Sequence, residues 1–124
     1  MSKVERARSQ VVEYESEFMD GAGIVVVAYG SVGRSALRAV RDARRKGIPV
    51  GFFRPITLWP FPDAELAKMA LGARTIIVPE LNCGQMVLEV ERLFRGRSEV
   101  LPLNLVNGEL FKPSEIARKI EEVA

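Results

Sequence analysis

The chain has 124 residues, 48% of them hydrophobic, a size and composition that fit one domain with a real core and argue against tandem domains or disorder. Eighteen Lys and Arg against 16 Asp and Glu leave a net charge of +2, too even for a dedicated nucleic-acid binder. No His is present, which removes the usual general base, the Ser-His-Asp and Cys-His pairs and every imidazole ligand; the single cysteine, Cys83, makes neither an internal disulfide nor a four-ligand zinc or iron–sulfur site.

Residues 3–19 carry Val4, Ala7, Val11, Tyr14 and Phe18 at steps of three and four, so the spacing predicts an amphipathic helix closed by Gly21 and Gly23. Such a helix over residues 1–22 either folds back on the domain or connects it to a preceding one, with the domain proper covering 23–124. The charged start, Lys3 to Arg6, is unlike a secretory leader, and the longest apolar run, Ile24 to Tyr29, is far shorter than the ~18 residues of a membrane span. These features predict a soluble cytoplasmic protein with no membrane partner.

Ile24-Val25-Val26-Val27-Ala28-Tyr29 lacks polar alternation, as expected of a central strand covered on both faces. The turn Gly30-Ser31-Val32-Gly33-Arg34-Ser35 leads into a helix with its apolar stripe on Val32, Ala36, Leu37, Ala39, Val40 and Ala43, closed by Gly47. A second apolar strand spans 48–53. The next stretch, 54–62, holds three prolines and runs extended and irregular before a short helix begins at Pro62-Asp63. Thr75 to Val78 reads as a third strand, and Asn82 as the N-cap of a helix with Met86, Val87, Val90, Leu93 and Phe94 inward. A fourth strand (99–105), a turn at Asn107-Gly108 and a last helix from Pro113 complete an alternation that argues for a mainly parallel sheet between helices.

Two turns sit where such sheets bind ligands. Gly30, Ser31 and Arg34 could cradle a phosphate, although the turn matches neither dinucleotide nor nucleoside-triphosphate loops, and a tight strand-to-helix turn explains the same glycines. Around Glu80, Asn82, Cys83 and Gly84, no histidine activates the thiol, and a lone carboxylate lacks a catalytic partner, so a structural role is favoured for Glu80 over an interface contact. Arg34, Arg38, Arg41 and Arg45 form a basic stripe that meets an acidic surface, meets a phosphorylated ligand or is simply solvated. Trp59 is either a core lid or an interface anchor.

The segment 27–35, with Gly51-Phe52-Phe53-Arg54-Pro55-Ile56-Thr57-Leu58-Trp59-Pro60-Phe61-Pro62, the turn Glu80-Leu81-Asn82-Cys83-Gly84-Gln85-Met86 and the ending Asn107-Gly108-Glu109-Leu110 to Ile116, resembles the C-terminal domain of the alpha subunit of 2-oxoacid:ferredoxin oxidoreductases. The resemblance runs from Lys3 to Ile120 and implies a transketolase C-terminal-like fold: a three-layer α/β/α sandwich with a mainly parallel five-stranded sheet. It also implies an enzyme that converts a 2-oxoacid to its acyl-CoA with thiamine diphosphate, Mg and iron–sulfur clusters, passing electrons to ferredoxin. The closest look is to the 2-oxoglutarate enzyme, with the 2-oxoisovalerate enzyme second; a small domain binding a phosphate or coenzyme A at Gly30–Ser35 is the rival reading. In the family those cofactors belong to the remaining alpha-subunit domains, the beta subunit and other subunits. This domain is then a non-catalytic assembly piece, inactive alone, whose interface candidates are Trp59, Phe61, Glu80, Asn82, Gly84 and Gln85. Cys83 inherits no family role.

Overall fold

A computed structural model describes residues 2–7, 10–30, 32–56, 61–81, 85–105 and 112–124. In chain order the elements are β1 (Ser2–Ala7), β2 (Gln10–Glu17), β3 (Ile24–Val27), α1 (Val32–Arg45), β4 (Val50–Pro55), α2 (Asp63–Met69), β5 (Thr75–Leu81), α3 (Gln85–Phe94), β6 (Glu99–Leu105) and α4 (Pro113–Val123). The strand order is β1-β2-β4-β3-β5-β6. β4, β3, β5 and β6 run parallel, joined by crossovers through α1, α2 and α3, and β2 joins β4 antiparallel. Strands β2 to β6 are thus the expected five-stranded, mainly parallel sheet, and β1 adds a sixth strand outside it.

Residues 2–7 and 10–17 require a correction, because where a helix was expected they form two antiparallel strands, the β1–β2 hairpin. A stripe at steps of three and four does not separate the two outcomes when the segment also alternates, and Tyr14 and Ser16 share one face of a strand. Tertiary pairing decides. The edge of β4 would otherwise leave a row of unpaired backbone groups, and β2 fills it with Tyr14 opposite Pro55, Glu15 opposite Arg54, Ser16 opposite Phe53 and Glu17 opposite Phe52. Tyr14, 2% exposed, stacks on the buried Phe53 with ring centroids 5.1 Å apart.

Successive β3 residues point to opposite faces, and all four are fully buried because both faces are covered. Val25, Val27, Phe53, Ile76 and Val78 pack beneath α2 and α3 with Leu66, Val90 and Phe94. Val26, Phe52 and Ile77 pack beneath α1 and α4 with Ala36, Val40, Ile116 and Ile120. Two separate cores on one sheet make the three-layer sandwich. Alanines at the inward positions of α1, Ala36, Ala39 and Ala43, let that helix lie close to the strands. Lys46 beyond α1 donates to Glu121 of α4 at 2.7 Å, and the carboxylate holds the ammonium above its usual range. A lysine raised in the fold stabilises it below the ordinary lysine pKa and loses that contribution only as pH climbs through the raised value, so this clamp is constant across neutral pH.

The exit from β2 is tightly built. Phe18 adopts φ +59°, its carbonyl accepts from Arg44 Nη2 at 2.8 Å, and Arg44 also donates through Nε to Val50 O at 2.9 Å while lying over the Phe18 ring. A Cβ on Gly51 would fall 3.0 Å from Phe18 O and 2.9 Å from Met19 Sδ. Gly51→Ala therefore pushes β4 from this corner and is expected to cost about 1–3 kcal/mol in urea unfolding, the usual scale of overpacking. At the opposite edge of the sheet, β6 carries Pro102, which has no backbone donor.

Candidate functional site

The carboxyl ends of the parallel strands, where β3 lies between β4 on one side and β5 on the other, are where a fold of this kind exposes backbone donors. Gly30, three residues beyond β3, has φ +67°, a conformation natural to glycine, and its carbonyl accepts from Gly33 N at 3.0 Å to open α1. Ser31 lies outside the described residues. Arg34 is exposed and has no hydrogen-bond or ion-pair partner among the described residues.

Arg54, at the carboxyl end of β4, crosses the first turn of α1 and joins this neighbourhood. Gly33 makes room for it: a Cβ there would stand 2.8 Å from Arg54 Cδ. Its Nη1 donates to Glu15 Oε1 at 2.9 Å, the cross-strand partner set by the β2–β4 register. Between them lies a cavity of about 400 Å³ lined by Glu15, Gly30, Gly33, Arg34, Leu37, Phe52 and Arg54. Sequence reasoning found Gly30 and Arg34 but missed Arg54 and Glu15, because their approach depends on the hairpin that was read as a helix.

The second turn behaves otherwise. Glu80 Oε1 accepts from Met86 N at 2.7 Å and Oε2 accepts from Val87 N at 3.2 Å, so one carboxylate satisfies two free donors in the first turn of α3. The Glu80 carboxylate is consequently a helix cap, the structural role favoured above. A carboxylate six and seven residues upstream of its two donors forms no local motif, which is why spacing did not reveal it. Asn82, the expected cap, lies with Cys83 and Gly84 outside the described residues, as does Trp59. Gln85 begins α3. Phe61 is 8% exposed and sits in the core beneath α2 and α3, where Leu66 and Phe94 also lie, as expected of an apolar ring beside that core.

The basic stripe of α1 is mostly neutralised. Arg41 grips Glu17 with Nη2 at 2.7 Å and Nε at 3.2 Å, a pairing that raises the guanidinium further, and Arg38 and Arg45 share Asp42 at 3.6 and 3.1 Å. The remaining arginine, Arg34, is the one beside the cavity.

One cysteine and no histidine do not make the donor set of an iron–sulfur cluster, and among the described residues no group of three or more Cys, Asp or Glu is placed to hold a metal ion such as Mg. Iron–sulfur and Mg sites therefore do not fit this chain's described residues.

Comparison with known proteins agrees with the architecture. The profile of pyruvate:ferredoxin oxidoreductase core domain II matches residues 22–116. The 2-oxoglutarate synthase subunit KorA of Methanocaldococcus jannaschii is 41% identical over 120 residues, 97% of this chain and 32% of the relative. The ketoisovalerate oxidoreductase subunit VorB of Methanothermobacter marburgensis is 42% identical over 113 residues, 91% of this chain and 32% of the relative. The chain thus spans about a third of the length of the curated relatives it matches. Among solved structures, 2-oxoglutarate:ferredoxin oxidoreductase from Magnetococcus marinus, with 2-oxoglutarate, coenzyme A and succinyl-CoA bound, superposes with TM-score 0.73 at 24% identity, covering 88% of this chain and 19% of that one. A split-gene transketolase superposes with TM-score 0.68 at 17% identity, covering 82% and 38%. These two share the fold. With the profile matched over most of its length, the chain belongs to the pyruvate:ferredoxin oxidoreductase core domain II family.

Proposed function

We propose that this domain is a non-catalytic assembly unit of the alpha subunit of a 2-oxoacid:ferredoxin oxidoreductase, with 2-oxoglutarate as the substrate of the complete complex. The observation that carries the reading is the 41% identity to a 2-oxoglutarate synthase subunit across 97% of the chain. The 42% identity to a ketoisovalerate oxidoreductase subunit supports 2-oxoisovalerate as the second reading. In either case thiamine diphosphate, Mg, iron–sulfur clusters and coenzyme A act in the complete cytoplasmic complex, with ferredoxin as the electron acceptor. This domain contributes packing surface to the other alpha-subunit domains and to the beta subunit. Trp59, Glu80, Asn82, Gly84 and Gln85 are the contacts proposed for that surface.

The test is a pull-down with the tagged chain from lysate of its source, followed by mass spectrometry and by viologen-reduction assays with 2-oxoglutarate and with 2-oxoisovalerate. A thiamine diphosphate-binding subunit and 2-oxoglutarate-dependent reduction are expected in the eluate, with no turnover by the chain alone. Turnover by the chain alone, or a complete enzyme that assembles and works without residues 20–124, would overturn the assembly role. Reduction driven only by 2-oxoisovalerate would transfer the substrate assignment to the branched-chain acid.

A further inference from the structure

We infer that the cavity between α1 and β4 binds a small phosphate monoester, held by Arg34 and Arg54. This inference is independent of the assembly reading. Its first support is charge. The lining residues bring two guanidinium groups against one carboxylate, an excess of one positive charge in a recess of about 400 Å³. Glu15 engages only Nη1 of Arg54; Nε is buried without an acceptor among the described residues, and Arg34 is likewise unpartnered among them. The other three arginines of the α1 stripe, by contrast, each contact a carboxylate, Arg41 on Glu17 and Arg38 and Arg45 together on Asp42. An excess positive charge inside a recess, beside a guanidinium nitrogen that has no acceptor among the described residues, marks that place for an anion.

Shape and chemistry narrow the ligand. Arg34 and Arg54 approach from a helix and from a strand end, so a planar carboxylate suits one of them, whereas the tetrahedral oxygens of a phosphate accept from both. Gly30 lines the recess without a side chain and nothing stands within 4 Å of where its Cβ would be, while Gly33 lets the Arg54 side chain lie along the wall. Leu37 and the ring of Phe52 complete the wall, an apolar surface matched to the organic part of an ester rather than to a free inorganic ion. Glu15 sets the balance, because its charge opposes the anion and fixes the Arg54 fork in place.

The 124-residue chain is titrated at low ionic strength with inorganic phosphate and with phenyl phosphate, and the backbone amide resonances of Gly30, Gly33 and Arg34 are followed by NMR. Saturable shifts centred on these residues are expected at millimolar concentrations, with phenyl phosphate the tighter ligand. Arg34→Gln is expected to weaken binding about tenfold, the loss of one charge-assisted contact. Arg54→Lys, which keeps the charge and loses the fork, is expected to weaken it as well. Arg45→Gln, on an exposed residue of the same helix already paired with Asp42, leaves binding unchanged. Shifts that fail to saturate by about 10 mM, an affinity too weak for a built site, would overturn the inference. Equal weakening by Arg34→Gln and Arg45→Gln would overturn it too, since that is the behaviour of diffuse surface charge; folded spectra of both variants keep either result decisive.

Discussion

Phe53→Ala is expected to lower the unfolding free energy by about 3–5 kcal/mol, the range for removing a fully buried aromatic ring. Phe53 lies in β4, the strand that joins the parallel part of the sheet to the hairpin, and its ring is wholly buried under α2 and α3. The truncation opens a cavity there and takes the stacking partner from Tyr14, whose ring centroid lies 5.1 Å away. Because β2 is held to the sheet through this face, the damage is not confined to one layer. For a domain of this size the melting temperature is expected to fall by roughly 10–20 °C. Calorimetry with urea unfolding checks the value, and a loss below about 1.5 kcal/mol would mean that the hairpin is not packed as described.

Glu80→Ala is the second large effect, with an expected loss of about 1.5–3 kcal/mol because two donors of α3 lose a charged acceptor at once. Glu80→Gln retains one acceptor oxygen without the charge and is expected to fall between alanine and the native residue. The two variants separate hydrogen bonding from charge. Hydrogen exchange gives the local reading: the amides of Met86 and Val87 are expected to exchange faster in Glu80→Ala, while those of α4, which packs on the other face, change only through global stability. Equal protection of Met86 and Val87 in all three proteins would show that α3 is capped by something else.

The central layer was legible because a strand buried on both sides needs apolar residues at consecutive positions, and Ile24 to Val27 has no other explanation. α1 was legible for the complementary reason, since its apolar positions recur at helical spacing between two glycines. The hairpin was not, because Val4, Ala7, Val11 and Tyr14 satisfy a helical period while the preference that decides their fate belongs to the open side of β4. The same separation in sequence hid half of the cavity: Glu15 and Arg54 are 39 residues apart and meet only through strand register. Glu80 shows the limit from another side. A carboxylate was noticed at the end of β5, yet its partners are backbone groups, and every residue downstream offers those alike. Phe61 stood in a Pro-rich loop that resembled a contact surface, and only the packing beneath α2 and α3 assigns it inward.

Pro102 bears on how the domain behaves in concentrated solution. It stands midway along β6, the last strand of the sheet, and a strand arriving from another molecule would meet there a ring in place of a donor. Polymerisation by sheet extension needs an uninterrupted row of donors and acceptors, and this row is broken at its centre. The fold thus carries a built-in stop against fibril-like growth on that side, and substituting Pro102 removes it without touching either core.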